Sequence, residues 1–345
     1  MTKPLRHRRR EPAPGVLRLQ LPLPFPGLDR VNCYLLEDDD GCTLVDCGLY
    51  QLDEDTAHGW DDIEAAFAAA GHSPGDVTRL FVTHAHIDHY GMAGEFVDRT
   101  GAELVMHSTT PEDLDAYRDP SAMTARLKEL YADHGVSPEL VEELTQWEDW
   151  RAFVSRVVEP DPIVDDGDVL DIGGRSWRCV YTPGHSRSHV CLWSESDQVL
   201  VSGDHLLPAV TPHIDFKRGD DDPLGAFLAS LERIESLAPA LVLPGHGHPF
   251  TDGAERARVV MRHHDRRLGA ILQVIRREPR TADEITEDIF GSELLNFARR
   301  LALGEALAHL VYLLRRGEVE HIEEDGTNRF QKARRRRVSD EDVDE

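Results

Sequence analysis

Between Thr83 and Gly91 the chain reads T-H-A-H-I-D-H-Y-G, and His84, His86, Asp88 and His89 within it are all side chains that ligate divalent metals. In extended chain, side chains repeat every two residues, so His84, His86 and Asp88 can converge from one side while His89, opening the next helical pattern, turns in from another. Imidazoles with a carboxylate at this density suit zinc, iron or manganese. Three further donors arrive through short turns. His185 ends Thr182-Pro183-Gly184-His185, Asp204 ends Ser202-Gly203-Asp204, and His246 ends Leu243-Pro244-Gly245-His246. Each lies just past the C-terminal end of a strand-like run, where layered α/β proteins gather their sites.

The elements that position these donors follow from periodicity. Val16 to Leu21, Val31 to Leu36 and Cys42 to Val45 read as strands, Asp61 to Ala70 as an amphipathic helix closed by Gly71, and Val77 to Val82 as the next strand. A helical pattern runs from Gly91 to Thr100, and a strand from Leu104 to Met106. Residues 108–160 depart from the alternation and predict a helical insertion punctuated by Pro120, Gly135 and Pro138, with Ser137 as an N-cap. Met123, Leu127, Tyr131, Leu140, Leu144, Trp147, Trp150 and Phe153 are its apolar positions, either a packing face or the wall of a substrate pocket. Strands resume at Val169 to Ile172, Trp177 to Tyr181, Val190 to Trp193 and Val199 to Val201, with a helix over Pro223 to Leu237 and a strand at Leu241 to Leu243. Strands and helices on both sides of the insertion predict two sheets with helices packed outside. Beyond a boundary near Thr251 to Gly253 come a long helix, Ala254 to Arg277, a helical unit, and a hairpin over Val319 to Glu323 and Asn328 to Phe330 turning at Asp325 and Gly326. The segments 1–13 and 333–345 read as disordered and charged.

Composition narrows the function classes. In 345 residues, 38 Lys and Arg face 64 Asp and Glu, a formal charge of -26 that repels polyanions, so any nucleic-acid role needs a local basic patch. The five cysteines, Cys33, Cys42, Cys47, Cys179 and Cys191, form no C-x-x-C pair and read as buried apolar residues in a reducing compartment. Without a signal-peptide or membrane-span pattern, a cytoplasmic location and no membrane partner are the expectation.

Taken together and in order, L-V-D-C-G, H-A-H-I-D-H, T-P-G-H, S-G-D and L-P-G-H resemble the motifs of the metallo-β-lactamase superfamily of hydrolases, over roughly Val16 to Gly253. The resemblance implies a four-layer αββα sandwich with a dinuclear site. His84, His86 and His185 would hold one metal, Asp88, His89 and His246 the second, and Asp204 would bridge them. Asp46, in L-V-D-C-G, matches the acidic residue the family places beneath the site. Two such ions, zinc first with iron or manganese also suited, would share a bridging hydroxide as nucleophile, oriented by Asp88. Asp204 at the bridge fits the glyoxalase II-like, lactonase and nuclease branches, and the His185 to His246 spacing is too short for the inserted domain of the β-CASP nucleases.

A second, narrower resemblance covers about Arg276 to Lys332, where P-R-T-A-D-E-I-T-E-D-I-F, the helix near Ala298 to Arg316 and the hairpin resemble a small winged-helix module. That helix is mostly apolar and the hairpin turn acidic, which favours packing on the hydrolase over contact with phosphates. The expectation is therefore a hydrolase of a small ester or thioester, with an endoribonuclease-like phosphodiesterase as the alternative and a homodimer left open. Outside the seven ligands, His213 and Tyr90 are candidates for substrate contact or support. His189, His205 and His248 read as packing or supporting groups, and His263 and His264 as a solvated pair.

Overall fold

The computed structural model describes residues 10–25, 27–50, 59–145, 150–217, 222–294, 296–324 and 327–333. Of the expected tails at 1–13 and 333–345, residues 1–9 and 334–345 lie outside these residues, as do Trp147 and the turn at Asp325 and Gly326, while residues 10–13 are tied to the fold: Ala13 is buried and the Arg10 carbonyl accepts the Arg18 N–H at 2.6 Å.

The chain opens with an antiparallel pair, β1 (Val16–Phe25) and β2 (Leu28–Asp38), followed by β3 (Gly41–Val45), α1 (Gly59–Ala70) and β4 (Val77–Phe81). The His-rich motif then leads through α2 (Ile87–Tyr90) into α3 (Ala93–Thr100) and β5 (Glu103–His107). The insertion comprises α4 (Thr110–Arg118), α5 (Pro120–Asp133), α6 (Pro138–Thr145) and a short 3-10 turn at Trp150–Phe153. After β6 (Ile163–Val164) come β7 (Val169–Ile172), β8 (Arg175–Tyr181), β9 (Val190–Ser194), β10 (Val199–Gly203), α7 (Pro223–Leu237) and β11 (Leu241–Pro244). The C-terminal unit contains α8 (Gly253–Val274), α9 (Ala282–Phe290), α10 (Asn296–Arg315) and the hairpin β12 (Val319–Glu324) and β13 (Thr327–Lys332).

Two sheets form, in the orders β1-β2-β3-β4-β5-β6 and β11-β10-β9-β8-β7. They face each other across a core of Tyr34, Phe81, Val105, Trp177, Leu192 and Leu243. The other face of the first sheet is covered by α1 and α3 through Phe67 and Phe96. The other face of the second is covered by α7 and α8 through Phe227 and Ile271. Strands buried on both faces carry continuous apolar runs, as in V-C-L-W-S of β9 and V-L-V-S-G of β10. This is the four-layer αββα sandwich expected from the motifs, a metallo-β-lactamase fold.

Three local differences have identifiable causes. The single helical pattern expected from Gly91 is interrupted because the Met92 N–H bonds to the Gly48 carbonyl at 3.1 Å, which diverts it from the helical ladder. The two-residue β6, too short for a periodicity signal, exists by parallel pairing with Met106 and His107. His264 is not solvated but fully buried, because α10 covers that face of α8 and His309 comes within 3.1 Å of it. In the C-terminal unit Thr281 and Glu284 close a reciprocal capping box at the start of α9. Leu303, Ala306, Leu307 and Leu310 of α10 are buried; Leu303, Leu307 and Leu310 share the hydrophobic cluster of Phe227 and Ile271.

Candidate metal centre

Five turns at the C-terminal ends of β3, β4, β8, β10 and β11 bring the sequence-selected donors together. Asp46 follows β3 at φ 62° with its carboxylate turned inward. One oxygen accepts the Thr83 backbone N–H at 2.8 Å, and the other accepts His89 Nδ1–H at 2.8 Å. His84 Nε2 and His86 Nδ1 lie 3.1 Å apart, and these two rings with His185 place one nitrogen each within 4.8 Å of one another. Asp88, His89 and His246 form a second group on the same criterion, with His246 Nε2 3.1 Å from Asp88 Oδ2. Asp204 stands between the groups: Oδ2 is 3.7 Å from His185 Nε2 and 3.3 Å from His246 Nε2, and Oδ1 is 3.4 Å from His89 Nε2.

The donor set fits divalent ions on an observation independent of the motifs. His89 Nε2, His185 Nε2, His246 Nε2 and Asp204 Oδ1 are buried without a hydrogen-bond partner, each facing this group of donors. Buried polar atoms are ordinarily satisfied, and four orphans converging on one region suit a bound cation. Their opposite ring nitrogens are fixed, with His185 Nδ1 donating to the His213 carbonyl at 2.7 Å and His246 Nδ1 to the Arg30 carbonyl at 2.9 Å. Each bond fixes Nδ1 as the donor, so that a neutral ring presents its Nε2 lone pair to the cluster.

The electrostatics differ between the two halves. Burial, reinforced by the neighbouring imidazoles, pushes His84 and His86 well below the usual histidine range and keeps them neutral, the state a ligand needs. Burial would also lower His89 and His246, but the carboxylates prevail. Asp46, Asp204 and Asp88 hold His89 well above its ordinary value, and Asp204 with Asp88 raises His246 to about 10. Asp88 is itself brought down to about 2 because His89 and His246 outweigh the effect of its burial. Positive charge is therefore strongly favoured beside Asp88 and Asp204.

Several supports were not legible in the sequence. Asp113 of α4 accepts from Ser186 Oγ at 2.8 Å, from Ser188 N at 3.0 Å and from Ser188 Oγ at 2.6 Å, tying the insertion to the turn that carries His185. Asn32 and Tyr34 of β2 donate to the Pro244 carbonyl at 2.8 Å each and hold the turn before His246. A polar Asn within the apolar run V-N-C-Y-L-L was the available signal; Asp113 gave none. His189 Nε2 accepts the Asp204 backbone N–H at 3.2 Å, a supporting role. Tyr90 is fully buried, with its hydroxyl donating to the Val158 carbonyl at 2.9 Å and its ring stacked on Tyr117, so it packs the insertion. His213 contributes its carbonyl to His185, and its ring is 3.6 Å from Glu305.

A cavity of about 360 Å³ reaches His185 and is lined by Asp113, Tyr181, Arg187, Asp215 and Lys217. A second, of about 460 Å³, shares Asp113, Arg187, Asp215 and Lys217 and extends along Met123, Leu127 and Leu130 of α5.

A two-sheet sandwich whose strand ends gather histidines and carboxylates around an unsatisfied cluster defines a metal-dependent hydrolase. The chain belongs to the metallo-beta-lactamase superfamily, which its residues 26–246 match, while residues 268–333 match the metallo-beta-lactamase-like C-terminal domain. Among solved structures it is similar to a beta-lactamase domain protein from Burkholderia ambifaria, at 33% identity and TM-score 0.80 over 96% of each chain. A probable metallo-hydrolase, YqjP, from Bacillus subtilis is 25% identical over 86% of this chain and 91% of its own. The acyl-coenzyme A thioesterase MBLAC2 from Bos taurus is 31% identical over 50% of this chain and 57% of its own.

Proposed function

We propose that this hydrolase is dinuclear and cleaves a small-molecule thioester or ester. The observation that carries the substrate reading is that one wall of the cavity is His185 itself, while the shared lining leads to the apolar side chains Met123, Leu127 and Leu130 beside the charged Arg187 and Lys217. That combination suits an acyl group with a polar leaving portion. The similarity to an acyl-coenzyme A thioesterase agrees with it.

In this reading His84, His86 and His185 would hold one ion and Asp88, His89 and His246 the other, with Asp204 placed between the two groups. Two divalent ions there, zinc being the expected pair, would activate water and polarise the scissile carbonyl. The chain does the rest. Asp204 fixes the separation of the two groups, held by His189 at its backbone N–H. Asp88 offers an ionised carboxylate to orient the attacking water and take its proton. Asp113 and the His213 carbonyl grip the His185 turn from two sides, which keeps the reacting geometry within the narrow tolerance that catalysis demands.

A nucleic-acid substrate is less well supported. Arg299 of α10 is engaged by Asp283 and Glu287, and Arg316 by Glu318, so these cations already have carboxylate partners. The test loads the purified protein with zinc and offers acyl thioesters, simple esters, lactones and single-stranded RNA. Turnover of thioesters or esters with no RNA cleavage is expected; RNA cleavage with no ester or thioester turnover would refute the proposal.

A further inference from the structure

Residues 205–217 leave β10 directly after Asp204 and run without helix or strand. Two C-terminal helices grip this segment. From α8, Arg256 donates Nε to the Leu207 carbonyl and Nη2 to the Val210 carbonyl, each at 2.6 Å. From α10, Gly304 lies so close to Asp215 that a Cβ there would stand 2.1 Å from Asp215 Oδ1. The next residue, Glu305, places Oε2 3.6 Å from His213 Nδ1. The His213 carbonyl in turn accepts His185 Nδ1–H.

Glu305 is only 9% exposed, and a buried carboxylate is costly unless paired. Arg267 of α8 pairs with one oxygen, and the His213 ring faces the other. Glu305 also groups with His264 and His309 in a cluster whose donor types suit a metal ion. The bonds account for His309 and for His264 Nδ1, while His264 Nε2 is left without a partner. His309 Nδ1 donates to the Glu305 carbonyl at 2.6 Å, so its Nε2 is an acceptor, and His264 Nδ1 meets it at 3.1 Å. With Arg267 supplying the positive charge on the carboxylate, an additional cation has little to gain.

We propose that Glu305 is a positioning residue for the metal centre: it anchors the His213 ring, whose backbone carbonyl orients His185, so that the C-terminal unit forms part of the hydrolase site. The inference rests on His185 being a metal ligand. It does not depend on the substrate. A group bonded directly to a ligand, as the His213 carbonyl is to His185, is worth about 10–100-fold in metal binding, and Glu305 acts one contact behind it with a smaller effect.

The experiment uses full-length protein with cobalt(II) as a spectroscopic probe. Binding constants for both ions come from competition with a chromophoric chelator, and the ligand-field spectrum reports the geometry at His185. Glu305→Gln is expected to weaken one of the two ions by up to about tenfold and to shift its ligand-field band, leaving the other ion near wild type. Because Glu305→Gln strands the Arg267 cation, Glu305→Gln/Arg267→Gln removes both charges and serves where the single variant does not fold. His213→Gln, which keeps the carbonyl and loses the ring, should change the same ion. Wild-type affinities and spectra in folded Glu305→Gln or in the double variant overturn the proposal. Since the readout is cobalt and not turnover, failure of the substrate reading shows separately, as a loaded wild type that cleaves no thioester.

Discussion

A Cβ on Gly245 would lie 2.4 Å from Oδ1 of Asp204. The glycine one position before the end of its motif, just past β11, is thus the space into which the carboxylate of another strand end fits. It would also meet His89 Cε1 at 2.7 Å. Gly245→Ala must therefore displace one ligand candidate from each of two motifs. It is expected to weaken metal binding by tenfold or more, measured by chelator competition. Gly269→Ala, in α8 with nothing within 4 Å, is the control and should leave metal binding unchanged. Helix propensity alone would stabilise that control by up to about 1 kcal/mol.

Asp204→Ala should release metal from both groups at once, because its carboxylate lies within 3.7 Å of His185 on one side and 3.3 Å of His246 on the other. Turnover should fall by more than about a hundredfold, since ion-assisted charge stabilisation amounts to several kcal/mol. Elemental analysis of the purified variant beside its kinetics checks both. Full metal content with wild-type turnover would contradict the assignment.

Asp46→Asn tests support beneath the site. The amide keeps an acceptor for Thr83 but can present its NH2 to His89 Nδ1–H, where two donors repel. The ion beside Asp88, His89 and His246 should bind about 10–100-fold more weakly, with a smaller effect at His84, His86 and His185. Equal weakening of both ions in a competition titration would point instead to general collapse of the turn.

Acid stability should report the helices α8 and α10. Burial lowers His264 to about 3, with His309 adding to it, and lowers His309 to about 4 against the opposing pull of Glu305, so both are neutral in the folded protein. The unfolded chain takes up these protons first, near the ordinary histidine pKa of about 6.5. Their contribution is therefore complete above that pH and declines as pH falls toward 3, by up to about 1.4 kcal/mol per pH unit for each proton. Urea unfolding of the metal-free protein between pH 6.5 and 4 measures the slope. It should become shallower in His264→Gln/His309→Gln.

The donors were legible because each is carried by a short motif at a strand end, where identity and local spacing determine direction. Asp88 and Asp204 needed only that logic, as did the apolar strands, whereas Asp46 was legible only through the resemblance of L-V-D-C-G to the family motif. What the sequence concealed depends on contacts between distant segments. Asp113 reaches Ser186 across 73 positions, and Arg267 meets Glu305 across 38, so neither leaves a local pattern. His264 departs from the solvated pair expected for the same reason: on an isolated helix a His-His pair belongs in water, and only the docking of α10 buries it. The Met92 break likewise comes from Gly48, a partner on another element.

All five cysteines are free and buried, and burial raises the thiols of Cys33 and Cys47 well above their ordinary value. Thiolate is the reactive form, so the folded protein is chemically quiet toward disulfide reagents. A thioester substrate, by contrast, releases an exposed thiol at every turnover. An aromatic disulfide chromophore can therefore count product continuously in the presence of the native enzyme, and any signal in the absence of substrate becomes a direct readout of unfolding.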